Sequence, residues 1–377
     1  MPSPPPNSLK IRKFYNIGFL FYANFPADTV FMMEVIQRFA LLSYIPLIVF
    51  FAFGLIALKA ILNKLLSLFM SNRSLLSVTC YLLLVTLTLS YLLFAIFANW
   101  PKTDLSKANF GSNLAFDVFA TTGAKSIVVL EDDTAHFASA AFETIKRVEP
   151  GTHLVVINKL TYPFYVQNLK KSDPGLKFPS AEDYASMSKE FFKANQKDYE
   201  IYSLAGGFDL GDGTWIPVGL LTKYYPKGVE VSDQEFDRLQ EEFWPKYKNN
   251  LELFSKTHGN LTFEHIRGLY AFAHASVAQE YLKRGNFPKA ILHSKEAVNT
   301  DSSLAFVHDV LGQVLLKNGS CNESISEFAK SYEINKAYTD SFLNREKVAR
   351  ECLKDNNLAD QYLEQYNQLT QQSQEPL

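Results

Sequence analysis

Two long apolar stretches lie near the start of the chain, and the residues after them alternate between polar and apolar. Residues 41–58 read LLSYIPLIVFFAFGLIAL and residues 78–98 read VTCYLLLVTLTLSYLLFAIFA, with no charge in either. About 20 consecutive apolar residues are enough to cross a bilayer as a helix. A helix that is apolar on every side is seldom a surface helix of a soluble domain. The pattern therefore predicts two transmembrane helices, at about 40–63 and 76–98, within a membrane segment over residues 1–100. The linker between them carries Lys64 and Arg73 and no acid, with Lys59 just before it. Positive charge favours the cytoplasmic side, which places residues 101–377 outside the cytoplasm, in a periplasmic, extracellular or lumenal space. The start, MPSPPPNSLKIRK, has no signal-peptide pattern. Phe14 to Phe25 is apolar and aromatic but too short to span, and reads as an interfacial segment or a packed loop.

Residues 101–245 change character. Ser126–Leu130 reads SIVVL, a β-branched run expected of a buried strand, and the acids Glu131, Asp132 and Asp133 follow it. His136 to Arg147 has helical spacing, Pro150-Gly151 is a turn, and His153 to Asn158 reads HLVVIN, a second strand. Helices are expected at Ser112 to Thr122 and from Thr161 to Lys171. Helices alternating with apolar strands predict a small α/β domain with a partly parallel sheet. Open α/β sheets bind ligands at the carboxyl ends of their strands, where Asp132 and Asp133 fall. Asp132, Asp133 and His136 are the weak catalytic candidates. Asp133-Thr134 serves equally well as a helix cap. Neither His136 nor His153 has metal-ligand spacing to a second His or Cys, and no metal is expected. The glycine-rich run from Gly206 to Gly213 lacks the endings of phosphate or dinucleotide loops and reads as loop geometry.

Residues 246–377 repeat themselves. Val277, Tyr281, Gly285, Ala290 and Ala297 recur 34 residues later as Leu311, Leu315, Gly319, Ser324 and Ser331. Each unit reads as two helices joined at its glycine, which resembles the tetratricopeptide pattern. Helices at Glu264 to Ala273 and Asn344 to Gln368 are expected to flank a short solenoid. Outside the cytoplasm a disulfide between Cys321 and Cys352 is permitted. Lys and Arg total 37 against 39 Asp and Glu, so there is no basic surplus to suggest nucleic acid. The sequons at Asn260, Asn318 and Asn322 matter only in a glycosylating host.

Several strings in order carry a family resemblance: Glu34-Val-Ile-Gln-Arg38-Phe39, Asn113-Leu-Ala-Phe-Asp117, IVVLEDDT over 127–134, Val155-Val-Ile-Asn158 with Thr161-Tyr-Pro-Phe-Tyr165, and Ile216-Pro-Val-Gly219-Leu-Leu. Over roughly residues 34 to 345 they resemble the C-terminal part of GT-C-like multi-span transferases related to transmembrane protein O-mannosyltransferase. That family carries an exported α/β domain and often tetratricopeptide repeats. The chain departs from it at Glu131-Asp132-Asp133, where the family has an Asn before its second Asp, and at Ala135-His-Phe-Ala. The resemblance makes Glu131, Asn158, Tyr162 and Tyr165 ligand-binding candidates. A lipid-linked sugar donor is implied only for a complete family enzyme, whose catalytic acid lies in an early exported loop. The chain lacks that loop, so no cofactor is expected of it and it is not expected to catalyse alone. It reads as an accessory part of a glycosyltransferase system, in contact with membrane lipid and a multi-span catalytic subunit, contributing acceptor recognition or assembly. Two alternatives stand beside this reading. One is a tetratricopeptide scaffold for envelope proteins or peptides. The other is a metal-dependent hydrolase using Asp132 and Asp133.

Overall fold

The computed structural model describes residues 109–131, 151–179, 184–204, 206–250 and 261–372, with scattered residues between 53 and 98 and between 136 and 139. Two compact units divide the chain: residues 1–108 with 259–265, and residues 109–258 with 266–377.

In the first unit the described residues between 53 and 98 are helical and expose large apolar side chains such as Phe53, Phe94 and Phe97. No described helix is long and apolar enough to cross a membrane. This corrects the expectation of two transmembrane helices at about 40–63 and 76–98. Apolar composition is not itself a span, which needs about 20 apolar residues in one continuous helix. The expected interfacial segment at Phe14 to Phe25 lies outside the described residues.

The second unit begins with α1 (Phe110–Thr121), β1 (Ser126–Leu130), β2 (Thr152–Val156), α2 (Pro163–Ser172) and α3 (Tyr184–Asn195). It continues through β3 (Glu200–Ser203), β4 (Thr214–Val218), β5 (Leu221–Tyr225) and α4 (Asp233–Phe243). The five strands form one mixed sheet in the order β2-β1-β3-β5-β4. β1 runs parallel to β2 and β3, in the registers Leu130↔Val156 and Val129↔Ser203. β5 runs antiparallel to β3 and β4. All five residues of β1 are buried, as a central strand covered on both faces requires. Ile127, Val129 and Val155 pack with Phe191 and Phe192 of α3 in one apolar cluster.

β4 and β5 turn at Gly219, whose φ of +56° suits the first position of a tight two-residue hairpin. A Cβ there would lie 2.0 Å from Tyr247 Oη. The absence of a side chain thus admits the tyrosine hydroxyl, which accepts from Leu220 N at 2.8 Å. The glycine-rich run has a packing reason as well. A Cβ on Gly207 would strike Trp215, and one on Gly213 would strike Tyr224. Both rings belong to an aromatic ladder that runs from Phe192 through Phe208.

Helices follow: α5 (Leu261–Lys283), α6 (Phe287–Thr300), α7 (Ala305–Lys317), α8 (Cys321–Ile334), α9 (Asp340–Lys347), a π-helical segment (Val348–Leu353) and α10 (Asn356–Gln372). The 34-residue period is visible in individual bonds. Gly285 and Gly319 both have positive φ, and Asn286 N→Tyr281 O recurs as Ser320 N→Leu315 O, each 2.9 Å. Across the hairpin, His274 Nδ1 meets His293 Nδ1 at 3.1 Å, and one period later His308 Nδ1 meets Glu327 Oε2 at 2.6 Å.

The helices expected from Asn344 to Gln368 are a third hairpin, α9 with α10. Its turn comes one residue late: Asp355 N reaches Ala349 O, six residues back, where the earlier hairpins reach five. The positive φ falls on Lys354 instead of residue 353. The π-helical segment absorbs the extra residue, the usual way a helix accommodates an insertion. A disulfide joins Cys321 to Cys352 inside that segment.

The first of these cross-hairpin contacts sets a pH limit. Trp244 stacks on His274 at 3.7 Å, Tyr281 stacks on His293, and burial holds both imidazoles neutral. One Nδ1 donates to the other, so the accepting ring must be unprotonated, and protonating both rings breaks the bond. Burial, with Lys289 adding to it, lowers His293 from 6.5 to about 4, and burial, with His293 adding to it, holds His274 well below its ordinary value. An imidazole depressed in the folded state stabilises fully above its unfolded value. That contribution is lost as pH falls from 6.5 toward the folded value. His293 alone is expected to remove about 2 kcal/mol by pH 5 and about 3 kcal/mol by pH 4. Asp117 and Asp309, whose carboxyls burial holds above the ordinary range, act in the opposite sense and soften the lower end of this limb. Urea unfolding at pH 7 and pH 5 measures the difference, and His293→Gln should shrink it.

Candidate functional site

The carboxyl ends of β1 and β2 lie side by side, since Leu130 pairs with Val156. Glu131 follows the first strand and is exposed. After the second, a short 3-10 turn (Ile157–Lys159) buries Ile157 and exposes Asn158. The register thus brings Glu131 and Asn158 to one edge of the sheet. Asp132 and Asp133 lie outside the described residues. His136 is helical and partly buried. The second strand ends at Val156, two residues short of the expected Asn158, because the chain turns there to enter α2.

Pro163 is the first residue of α2, where a missing N–H costs nothing and a fixed φ is favourable. The chain before it projects Tyr162 outward. Tyr162 and Phe164 stack at 6.0 Å with an interplanar angle of 20°, and they are 52% and 65% exposed. Tyr165 points the other way. Its hydroxyl accepts from Val156 N at 2.8 Å and closes the end of β2, and burial pushes the phenol above its ordinary value. Tyr165 is therefore placed as a strand cap, Tyr162 as a surface group. Phe164 was not among the sequence candidates. Its signal was available in retrospect, as an apolar residue one position past a helix-starting proline.

Toward the other end of β2, His153 Nδ1 bonds Asp173 Oδ1, Ser172 Oγ donates to Asp173 Oδ2 at 2.6 Å, and Tyr199 packs edge-on against the imidazole. Burial pushes the Asp173 carboxyl up, but the His153 and Ser172 bonds and the His153 charge together hold it below the ordinary value. The pair fastens the end of α2 to the sheet.

An open cleft of about 700 Å³ is lined by Ala124, Tyr199, Glu200, Lys223 and Tyr225, among others. Lys223 Nζ donates to Glu200 Oε1 at 2.5 Å and lies over the rings of Tyr202 and Tyr225. Burial raises the Glu200 carboxyl, and the bonds from Lys223 and Tyr202 outweigh it, leaving it low. Burial, with Glu200 nearby, pushes the Tyr225 phenol up to about 12. Lys223 and Glu200 satisfy each other across β3 and β5, and among the described residues no serine, cysteine or histidine lines the cleft.

The Asn113…Asp117 string, one carrier of the family resemblance, is structural. Asp117 is fully buried on α1 and accepts from Lys248 N at 2.8 Å, Asn249 N at 3.1 Å and Tyr270 Oη at 2.6 Å. Asn249 in turn donates to Phe110 O and accepts from Asn113 Nδ2.

Among the described residues no group of three His, Cys, Asp or Glu side chains could hold a metal ion. The chain matches no protein-family model and no curated protein.

Proposed function

We propose that this chain is a recognition and assembly component of a protein O-mannosyltransferase-like system and that a multi-span partner supplies the catalysis and the lipid-linked sugar donor. The observation that carries the reading is the stacked, exposed Tyr162–Phe164 pair, a few residues past exposed Asn158 and the carboxyl end of β2. Exposed, stacked aromatic faces suit a sugar ring or an extended acceptor segment, and such rings are the usual anchors of recognition surfaces. The Cys321–Cys352 disulfide fits an oxidising, extracytoplasmic compartment for residues 109–372.

The test is native co-purification of the full chain and of a Tyr162→Ser/Phe164→Ser double variant from gently solubilised membranes, with mass spectrometry of everything retained. Both rings are largely exposed, so the double variant should melt within about 0.5 kcal/mol of the parent per site. The expected result is a multi-span protein with an acidic first exported loop on the parent and its loss, or loss of its acceptor, on the variant. Equal retention by both proteins, or no such protein on the parent, overturns the reading.

A further inference from the structure

The helical repeat contains its own control. Where the first and second hairpins meet, the junction is filled by Ala275, Leu304, Phe306 and Val310. All four belong to one apolar cluster, and Phe306 packs on Phe272 at 5.4 Å. The register at +34 holds into the next junction: Val307 N→Leu304 O recurs as Ser341 N→Tyr338 O, and the side-chain bond Asp301 Oδ1 to Ser303 N recurs as Asn335 Oδ1 to Ala337 N. The equivalent four residues where the second and third hairpins meet are Asp309, Tyr338, Asp340 and Asn344. Every apolar residue has become polar, and the space is an open cleft of about 400 Å³, lined by these four with Gln313 and Ala337.

Stability does not account for the exchange. Filling the junction with apolar side chains is the solution the chain itself uses one repeat earlier, and burial of that kind stabilises. The cleft is organised instead. Asp309 accepts from Gln313 Nε2 at 2.7 Å and from Asn344 Nδ2 at 2.8 Å, which fixes its carboxylate while leaving lone pairs for a third donor. Asp340 brings a second negative charge close enough to push the Asp309 carboxyl up, in the same direction as burial. Among the described residues, no Lys, Arg or His lines the cleft. Two carboxylates without a cation beside them are costly, and an entering positive charge would relieve that cost.

We propose that this cleft binds a basic side chain, lysine or arginine, of an extended polypeptide. Asp309 and Asp340 supply the counter-charge, Gln313 and Asn344 hold Asp309 in place, and the Tyr338 ring forms a wall over which a cation is favoured. A polypeptide fits better than a small ion because the cleft is open and, at about 400 Å³, lies in the size range of pockets that take organic groups. The inference stands whether or not the transferase reading holds.

The experiment uses the full chain and a capped hexalysine peptide labelled with a fluorophore. A four-substitution variant, Asp309→Ala, Tyr338→Leu, Asp340→Phe and Asn344→Val, installs the residues of the first junction. It should melt no lower than the parent and bind the peptide at least tenfold more weakly. Asp340→Asn, an exposed change that does not disturb folding, should weaken binding about threefold or more. The proposal is overturned if hexalysine does not bind the parent, or if Asp340→Asn leaves its affinity unchanged. It is equally overturned if spermidine competes as tightly as hexalysine, which would mark a free-amine site, or if magnesium or calcium alone displaces the peptide, which would mark a metal site.

Discussion

Asp117→Ala is expected to destabilise the second unit by about 4 kcal/mol at neutral pH, the largest effect of any single substitution considered. The carboxylate is fully buried, out of reach of bulk solvent. Removing it strands the backbone N–H groups of Lys248 and Asn249 and the hydroxyl of Tyr270, all within hydrogen-bond distance of Asp117. Each buried donor left unmet costs about 1–3 kcal/mol. Part of that is recovered, because Asp117 itself is held in an unfavourable environment: burial raises its carboxyl above the ordinary value despite the three donors. The loss should be cooperative. Asp117 ties α1 to the loop before α5 and to Tyr270 on α5, segments more than 130 residues away in the chain. Asp117→Asn should cost about half as much, since one side-chain oxygen still accepts while the new amide faces a donor. Chemical denaturation followed by circular dichroism measures both. Equal stability of Asp117→Ala and the parent would mean that the network contributes nothing.

Breaking the Cys321–Cys352 bond comes next. The bridge closes a loop of 31 residues, for which the chain-entropy account gives about 3.5 kcal/mol. Cys352→Ser, or the parent under reductant, should lose about that much, and the loss should be local. The bond ties the first residue of α8 to the π-helical segment of the third hairpin. Repeat arrays are held chiefly by nearest-neighbour contacts, so the terminal hairpin should open while the first stays closed. Hydrogen exchange reads this directly. Residues 340–372 should exchange faster in Cys352→Ser, and the amides of α5 and α6 should keep their protection. Uniform loss across all three hairpins would show that the array unfolds as one unit.

Part of this architecture was legible because it is local. Ser126–Leu130 announces itself as a strand since a central strand is apolar on both faces and needs no alternation. The repeat shows in Gly285 and Gly319, where the turn demands positive φ, and in Ala290, Ala297, Ser324 and Ser331, all fully buried where two helices meet. The apolar runs within residues 41–98 predict spans that no described helix matches, because hydropathy counts side chains while a span is also a matter of helix length.

The third hairpin escaped because one inserted residue, taken up between Val348 and Leu353, moves every later position out of the 34-residue register. A comparison at fixed spacing cannot see past it, but helix packing can, since a π turn restores the phase. The candidate edge was read in part. Asn158 and Tyr162 are placed at the strand end by local chain direction, while the stacking of Tyr162 on Phe164 and the inward turn of Tyr165 depend on what the helix packs against. Asp117 and the cleft at Asp309 belong wholly to the tertiary structure. Their partners lie from four to more than 130 residues away, and nothing in the neighbouring sequence marks an aspartate that will be buried.

The sequence by itself determined the local elements, the period of the helical array and the residues able to turn it, because these depend on side-chain size and backbone freedom within a few positions. Only the tertiary structure decided which polar groups would be buried together and which would be left open, because desolvation and hydrogen-bond satisfaction are properties of the folded neighbourhood and not of the chain.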